Sequence, residues 1–413
     1  MGRPGPRQPL GPAFRRLFVS SGTSNLSDGV LQAALPLLAA TLTRDPMAVA
    51  AVAALAVLPW LLLSLPAGAL VDRVDRRRAM AGANLVRAVG AGLLATAVVL
   101  DVATLPLLYA TALALGTAET VYDNAARALL PAVVARDQLE RGNSLLTTVE
   151  SVGNIFLGAP VGALLFGLAV SAPLWLNSGA YLLAAVLVVG VTARALPRRT
   201  VPTTVRTDVA EGLRWLLRHR LLRSLMLCCG VQAAVHALVQ GVMVLYALET
   251  LGLDERGFGV LLAAGGVGAV VGALASPYVT RVLGRTHAMG LSGVVSAAAL
   301  LAMGLLPHPA VGLVGSALSA AAVSTFNVQV MSVRQVLVPE ELFGRVQGAY
   351  RTVIWGGIPL GTLAGGLLAR SSGIPAVFVT AGVAGLAIGL VLWRVLDGHR
   401  EVVTAGFREV APA

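Results

Sequence analysis

Three polar residues recur on one face of the first apolar segment of the chain. Asn25, Asp28 and Gln32 stand at positions i, i+3 and i+7, a spacing that places them in one stripe of a helix. Asp28 lies about eleven residues into the segment, roughly 16 Å deep at the rise of an α-helix and therefore near the middle of a bilayer. Ionisable groups at that depth are costly and usually functional. We expect Asp28 to exchange a proton or to pair with a cationic substrate; the alternative is a structural Asp bonded to backbone or to Asn25.

A second stripe of the same kind appears in the later part of the chain. His236 stands between Gln232 and Gln240 at intervals of four residues. We expect His236 to be a second proton- or substrate-coupling group, whereas a hydrogen-bonded structural histidine is the alternative. The residues expected to line a central cavity are polar or aromatic and lie within apolar segments: Asn25, Gln32, Gln232, Gln240, Asn327 and Trp355. Packing is the alternative for Trp355.

An acidic stripe with a terminal cation occupies the fourth apolar segment. Glu119, Asp123 and Arg127 follow one another at i+4 spacing and point toward the end predicted to be cytoplasmic. We expect Asp123 to pair with Arg73 or Arg127 in a cytoplasmic gate; the alternative is an ordinary intrahelical ion pair of little energetic worth. Three further ionisable residues, expected nearer the cytoplasmic edge, would snorkel or pair among themselves: Arg87, Glu150 and Arg351.

Several kinds of chemistry are excluded by residue types that the chain lacks. It contains no lysine, so the phosphate-binding loop of ATPases is absent, and no nucleophile–base constellation stands out. Cys228 and Cys229 are neighbours in an apolar segment, where they suit packing better than a disulfide or a metal site. We expect no enzyme activity, no cofactor other than a proton gradient as energy source, and no metal.

The composition indicates a protein that has lipid as its solvent. Hydrophobic residues make up 56% of the 413 residues and charged residues only 12%, half of the roughly 25% usual in soluble proteins. Twelve stretches are long and apolar enough to span a bilayer, near 17–43, 47–71, 79–100, 103–126, 143–169, 171–193, 222–250, 257–280, 286–306, 309–337, 346–369 and 373–396. The sequence therefore predicts an all-α membrane protein of twelve transmembrane helices.

The arginines orient these predicted spans. With the N-terminus in the cytoplasm, the outer loops keep only Arg44, Arg256 and Arg370, while the inner segments hold the large majority. We therefore expect both termini to be cytoplasmic and the protein to lie in the plasma or inner membrane. The net charge of +11 serves this orientation, and no nucleic-acid partner is expected.

One long polar break divides the chain into similar halves. We predict a cytoplasmic tail (1–16), a six-helix bundle (17–193), a basic linker (194–221), a second six-helix bundle (222–396) and a cytoplasmic tail (397–413). From Thr207 the linker resembles an amphipathic helix on the membrane surface; a flexible linker is the alternative. A shift of 204 residues lays Asp28 on Gln232 and Asp123 on Asn327, which indicates a duplication with pseudo-twofold symmetry.

Two motifs carry a resemblance to a known family. The stretch Gly68-Ala69-Leu70-Val71-Asp72-Arg73-Val74-Asp75-Arg76-Arg77-Arg78 resembles the cytoplasmic loop signature of the major facilitator superfamily, although Asp75 stands where that family usually has Gly. Gly158, Pro160 and Gly162 are similar to the helix-five element of its export-type antiporters, with Ala159 before the Pro and Ala163 in place of the last Gly. The stretch Glu119–Arg127, with Asn25–Gly29, resembles the macrolide-efflux and enterobactin-exporter branch.

The resemblance implies a proton-coupled exporter of a small amphiphilic organic compound that works by alternating access. It also implies a cytoplasmic gate formed by the loop and the fourth helix: Gly68, Asp72, Arg73, Arg77, Glu119, Asp123 and Arg127. The expected partners are a small-molecule substrate and the lipid bilayer, and a monomer is expected. The alternatives are an importer or uniporter on the same fold, and a membrane binding or assembly protein that does not transport.

Overall fold

The computed structural model describes residues 10–135, 138–192, 213–401 and Phe407. This part of the chain is helical and contains no β-strand. The long helices of the first half are α1 (Pro12–Leu42), α2 (Pro46–Arg73), α3 (Arg76–Val99), α4 (Leu105–Val133), α5 (Leu139–Phe166) and α6 (Ala172–Val189). Those of the second half are α7 (Arg220–Gln240), α8 (Glu255–Leu283), α9 (Arg285–Leu305), α10 (Pro309–Leu337), α11 (Glu340–Ser372) and α12 (Ile374–Gly398).

Ten helices in the described residues are long and apolar enough to cross a membrane. The other two predicted spans coincide with α1 and α4, which are 31 and 29 residues long but more polar. Their composition has a physical reason, because α1 carries Ser24, Asp28 and other polar residues and α4 carries Glu119 and Asp123. Both helices that fall short in hydropathy thus carry acidic candidate site residues.

The loop before α3 is organised by Asp75, the residue that departs from the family pattern. Its carboxylate accepts hydrogen bonds from the backbone N–H groups of Arg77 at 2.9 Å and Arg78 at 3.3 Å, which caps the helix. The backbone of Asp75 has a φ of −66°, so the position needs no glycine. Asp75 also forms an ion pair with the Arg77 guanidinium at 2.9 Å, and this contact lowers the pKa of Asp75 to about 2.

The chain forms two compact units. The first comprises Met1–Ala34 and Leu62–Val201, and the second comprises Leu35–Leu61 and Pro202–Ala413. The units differ from the predicted halves at one place, since Leu35–Leu61 groups with the second-half helices. This segment makes an exposed ion pair from Arg44 to Glu249 at 3.5 Å.

Within the first unit, glycines allow α5 to lie directly against α1. A Cβ placed on Gly158 would lie 2.6 Å from the Cα of Gly29, and one on Gly162 would lie 2.9 Å from the Cα of Val30. Both distances are too short for real side chains. Between α5's two α-helical parts, residues Val152–Gly158 form a π-helical turn. The helix-five motif therefore serves a close helix contact one residue away from Asp28.

The second unit repeats this arrangement. Gly365 of α11 packs on Leu238 of α7, where an added Cβ would lie 2.8 Å from the Leu238 Cα. Gly272 of α8 packs equally closely on Ala321 of α10. By contrast, a Cβ on its repeat counterpart Gly68 would meet only Asn124 Oδ1 at 3.9 Å, an ordinary contact. Gly68 therefore makes no comparably close helix contact among the described residues of the first unit.

The end of the linker packs on protein. Residues 193–212, where the predicted amphipathic helix would begin, lie outside the described residues, and 213–218 are helical. Leu216 is fully buried in the hydrophobic core of the second unit, and Leu213 and Trp215 pack against that core. Most apolar side chains of this segment are thus covered by the second unit, whereas Leu217 is exposed, and the expected position of the linker on the membrane surface stays a prediction.

We predict that Gly158→Ala destabilises the protein by about 1–3 kcal/mol, because the new methyl group must push α5 away from α1. The matched control is Gly179→Ala in α6, where no atom lies within 4 Å of the added Cβ. Denaturant unfolding of the purified protein in detergent would measure both variants. Equal stabilities of the two variants would contradict the close α1–α5 contact.

We predict that Asp75 adds stability only where its carboxylate is ionised. Its pKa is about 2 in the folded protein and 3.8 ordinarily, so the stabilisation is complete above about pH 4 and disappears as the pH falls through about 2. Asp75→Asn keeps a capping side chain without the charge. Wild type should therefore exceed this variant in thermal stability at neutral pH, and the difference should vanish near pH 2. A difference that persists at pH 2 would contradict the charge argument.

Candidate functional site

A buried ion pair joins α1 and α3 in the first unit. The Arg87 guanidinium lies 2.9 Å from Asp28 Oδ1, and the side chains are 1% and 8% exposed. Arg87 was expected near the cytoplasmic edge, but that prediction is wrong: it lies near the middle of the 24-residue helix α3, as Asp28 does in α1. Two central charges of opposite sign compensate each other, because neither could remain alone in an apolar interior.

Four uncharged side chains complete the surroundings of this pair. The Tyr181 hydroxyl on α6 donates to Asp28 Oδ1 at 2.6 Å. Arg87 donates to Ser24 Oγ at 2.8 Å and to Asn84 Oδ1 at 3.2 Å. The guanidinium also lies 4.9 Å from the ring centroid of Tyr181 and 5.3 Å from that of Tyr122, which is cation–π distance. Sequence analysis missed these partners, and the only signal for them was the unpaired arginine in mid-helix.

Glu119 adds a second carboxyl group to this cluster. Its principal electrostatic neighbours are Asp28 and Arg87, and its side chain is half-buried. Among the described residues, no hydrogen bond or ion pair engages its carboxylate. Glu119 was expected to take part in the cytoplasmic gate, and that role stays a prediction. Its electrostatic neighbours place a second carboxyl group in the surroundings of the Arg87 guanidinium.

The remaining members of the α1 stripe have separate partners. Asn25 is buried and donates to the carbonyl of Ser21 at 2.8 Å, so it does not bond to Asp28. Gln32 is exposed in the first unit and donates to Asn154 Oδ1 on α5 at 2.8 Å. The contacts of Asp28 are thus long-range ones to α3 and α6, and the alternative of a purely local structural role finds no support in them.

The second unit contains a cavity of about 310 Å³. Four residues expected to line a cavity do so here: Gln232, His236, Gln240 and Asn327. His236 Nε2 lies 3.2 Å from Ser296 Oγ, which in turn lies 3.0 Å from Ser319 Oγ. The histidine therefore has a hydrogen-bond partner, in keeping with the structural alternative as well as with a coupling role. Arg334 and Tyr350 are among the lining residues that sequence analysis missed.

Trp355 packs against aromatic and basic side chains. Its ring lies 5.1 Å from that of Trp60, and the Arg351 guanidinium lies 5.4 Å from the Trp355 centroid and 4.9 Å from the Trp60 centroid. Trp355 is not among the residues that line the cavity of the second unit. The packing alternative describes these contacts better than the expected lining role.

Two residues of the expected gate, Asp123 and Arg77, each have an ion-pair partner close by in sequence. The Asp123 carboxylate lies 3.8 Å from the Arg127 guanidinium, which corresponds to the alternative of an intrahelical ion pair. The Arg127 side chain is 57% exposed. Arg77 donates to the carbonyl of Val191 at 3.0 Å in addition to its pair with Asp75. The side chains of Asp72 and Arg73 lie outside the described residues, so the expected contact of Asp123 with Arg73 stays a prediction.

We predict that breaking the buried ion pair from either side costs about 3–5 kcal/mol of folding free energy, because an uncompensated charge stays buried. Asp28→Asn and Arg87→Gln should each show this loss in denaturant unfolding, and the double variant should lose less than their sum. Arg44→Gln, which removes an exposed pair at 3.5 Å, should cost at most about 1 kcal/mol. Strictly additive effects of the two buried substitutions would show that the groups do not interact.

Relatives of known name are membrane transporters. The chain is 26% identical over 391 residues to the multidrug efflux pump Tap of Mycolicibacterium fortuitum, covering 92% of this chain and 95% of that protein. It is 29% identical to an uncharacterised MFS-type transporter of Mycobacterium tuberculosis, covering 95% and 93%.

Solved structures agree on the fold. The nucleoside transporter NupG matches with a TM-score of 0.74 at 12% identity, over 94% of this chain and 99% of that one. A bacterial homologue of the iron transporter ferroportin, in its inward-facing state, matches with a TM-score of 0.71 at 17% identity and the same coverage. These likenesses concern the fold alone.

The family profile described as transmembrane secretion effector matches residues 6–401, nearly the whole chain. Together with the helical architecture, the candidate spans and the loop motif, this match identifies the chain as a multi-pass membrane transporter that belongs to the major facilitator superfamily.

Proposed function

We propose that this transporter exports a small amphiphilic organic compound from the cell in exchange for protons. The observation that carries the proposal is the buried ion pair of Asp28 and Arg87 in the first unit, to which the half-buried Glu119 adds a second carboxyl group. Charged groups in the interior of a membrane protein are retained mainly where an ion or substrate uses them. Similarity to a protein named as a multidrug efflux pump supports the direction of transport.

The proposal includes a topology of twelve spans in two pseudo-symmetric bundles, with both termini in the cytoplasm of a plasma or inner membrane. It requires α1 and α4 to cross the bilayer, although they are not among the ten candidate spans. Several of their polar side chains, such as Asp28 and Tyr122, are buried inside the first unit, and this burial lowers the cost of crossing. No cofactor takes part, and the transporter acts as a monomer.

The cluster offers a physical route to proton coupling. The Arg87 guanidinium can balance only one ionised carboxylate. The other carboxyl group of Asp28 and Glu119 therefore needs no cation when it holds a proton. The proton would be loaded from the outside and released to the cytoplasm as the protein alternates between its two states. Loading changes the net charge around Arg87, and this change would alter the relative stability of those states.

The nearest alternative is import or uniport of a small metabolite on the same fold. This alternative is compatible with the fold, which is similar to that of the nucleoside transporter NupG. A non-transporting binding or assembly protein is the alternative from another class. Net flux separates all three, because export lowers accumulation, import raises it, and the third produces no flux.

We expect cells that express the wild type in an efflux-deficient host to accumulate less of at least one dye from a set of cationic, neutral and anionic lipophilic dyes. A protonophore should abolish the difference. Asp28→Asn and Glu119→Gln should lose protonophore-sensitive export, because each removes one carboxyl group of the cluster. Fluorescence of the cell-associated dye is the measurement.

The matched control is Glu140→Gln, an exposed acid at the start of α5 outside the cluster, which should export like the wild type. Export by Asp28→Asn with an unchanged response to the proton gradient would show that Asp28 carries no proton. Accumulation above that of the host without the protein would favour the importer.

A further inference from the structure

We infer that the cavity of the second unit binds an amphiphilic anion, with Arg334 as the cation that receives its carboxylate, sulfonate or phosphate group. The inference rests on the proposed transport of an amphiphilic compound and specifies the class of that compound. It follows from the charge, the shape and the unsatisfied hydrogen-bonding capacity of the cavity wall.

The wall of the cavity is apolar over most of its extent and carries one formal charge. Apolar side chains come from several helices: Val323, Phe326, Val330, Ile354, Ile358 and Leu392. Among the lining residues, Arg334 is the only one with a permanent charge, and no Asp or Glu lines the cavity. A cavity of about 310 Å³ suits a small organic molecule. Such a wall matches a molecule with an apolar body and one anionic end.

The Arg334 guanidinium is held in place by uncharged groups. It donates to Oε1 of Gln347, lies 3.5 Å from the Met331 sulfur, and stacks 4.3 Å from the ring centroid of Tyr350. Gln347 is itself bonded to the same sulfur at 3.4 Å, and the Tyr350 hydroxyl donates to Cys229 at 3.6 Å. A guanidinium fixed in this way loses little conformational freedom when a ligand arrives.

Arg334 is half-buried, and its charge has no compensating partner in the described part of the chain. No carboxylate in the described part of the chain pairs with Arg334, and its Nε–H is buried without a hydrogen-bond partner. In the first unit, by contrast, the buried Arg87 is balanced by Asp28 at 2.9 Å. An unsatisfied buried donor on a charged group is expensive, and an anionic ligand would satisfy both the charge and the donor.

Asn327 places a second polar group within reach of the same ligand. It stands on α10 about two turns before Arg334, on the same side of the helix, and lines the same cavity. His236 and Ser296, which also line the cavity, are hydrogen-bonded to each other and carry no permanent charge. The anionic end is therefore assigned to the region of Arg334, and neutral polar groups are left to orient the body of the ligand.

The test uses Cys228, which lines the cavity and is one of two cysteines in the chain. Cys229→Ser leaves Cys228 as the single thiol and keeps an acceptor for Tyr350. The rate of maleimide labelling is measured on purified full-length protein with increasing anilinonaphthalene sulfonate. N-phenylnaphthylamine, the same skeleton without the sulfonate, is the matched neutral probe.

We expect the sulfonate to protect Cys228 at concentrations about tenfold or more below those of the neutral probe, as a charge-assisted hydrogen bond would give. In Arg334→Gln this preference should disappear, with protection by the neutral probe unchanged. Arg334→Lys should keep most of it. The control Arg281→Gln, at an exposed arginine outside the cavity, should behave like the parent.

Equal protection by both probes in the parent, or an undiminished preference in Arg334→Gln, would overturn the inference. Loss of protection by the neutral probe in Arg334→Gln would indicate that this variant does not fold. In that case Arg334→Lys is the test, and loss of the preference for the sulfonate in Arg334→Lys would overturn the inference. Protection by phosphatidylglycerol alone, without protection by the sulfonate, would assign the anion to a lipid and overturn the small-molecule reading.

The labelling requires no gradient and no transport, so the two proposals fail separately. A protein that shows the sulfonate preference but exports no dye contradicts the proposed function and leaves the anion site intact. A protein that exports dyes in a proton-dependent way but lacks the preference contradicts only the anion site.

Discussion

Asp28 and Arg87 can remain charged in the interior of the first unit only because they face each other. Each ion alone would pay a desolvation penalty of several kcal/mol, and the pair is tolerable only when its geometry is good and its remaining hydrogen-bonding groups are satisfied. Here the separation is 2.9 Å, and Tyr181, Ser24 and Asn84 supply the additional bonds. The positions of α1, α3 and α6 within the unit therefore have to be held to within a fraction of an ångström.

The glycines of α5 provide part of that precision. Gly158 and Gly162 contact the backbone of α1 at Gly29 and Val30, directly after Asp28, where any side chain on α5 would force the helices apart. The helix-five motif, which resembles that of export-type antiporters, thus allows close packing of α5 on α1 in this chain. It sets the depth and rotation of the helix that carries the central carboxylate.

The two halves share a helical arrangement and differ in their charge. Helices α7 and α11 repeat the close contact of α1 and α5, yet Asp28 is replaced by Gln232 and the unit encloses a cavity in place of an ion pair. The acidic cluster of the first unit suits a proton, while the solitary Arg334 of the second suits an anion. A duplication that keeps the packing residues and changes the polar ones allows one fold to divide these tasks.

Composition and spacing were sufficient to predict a helical membrane protein, and the loop and helix-five motifs were sufficient to indicate the family, because hydropathy, helical period and short motifs are local properties of the chain. Four residues that were expected to line a central cavity line the cavity of the second unit. The sequence could not predict which residues contact one another. That Arg87 meets Asp28, that Glu119 joins them, and that Trp355 packs on Trp60 depend on contacts between residues far apart in sequence. The sequence by itself determined which side chains are too polar to face lipid. Only the tertiary structure decided which of these side chains bond to one another. Such pairing depends on distances of about 3 Å between side chains on different helices, and packing sets the rotation and depth of those helices.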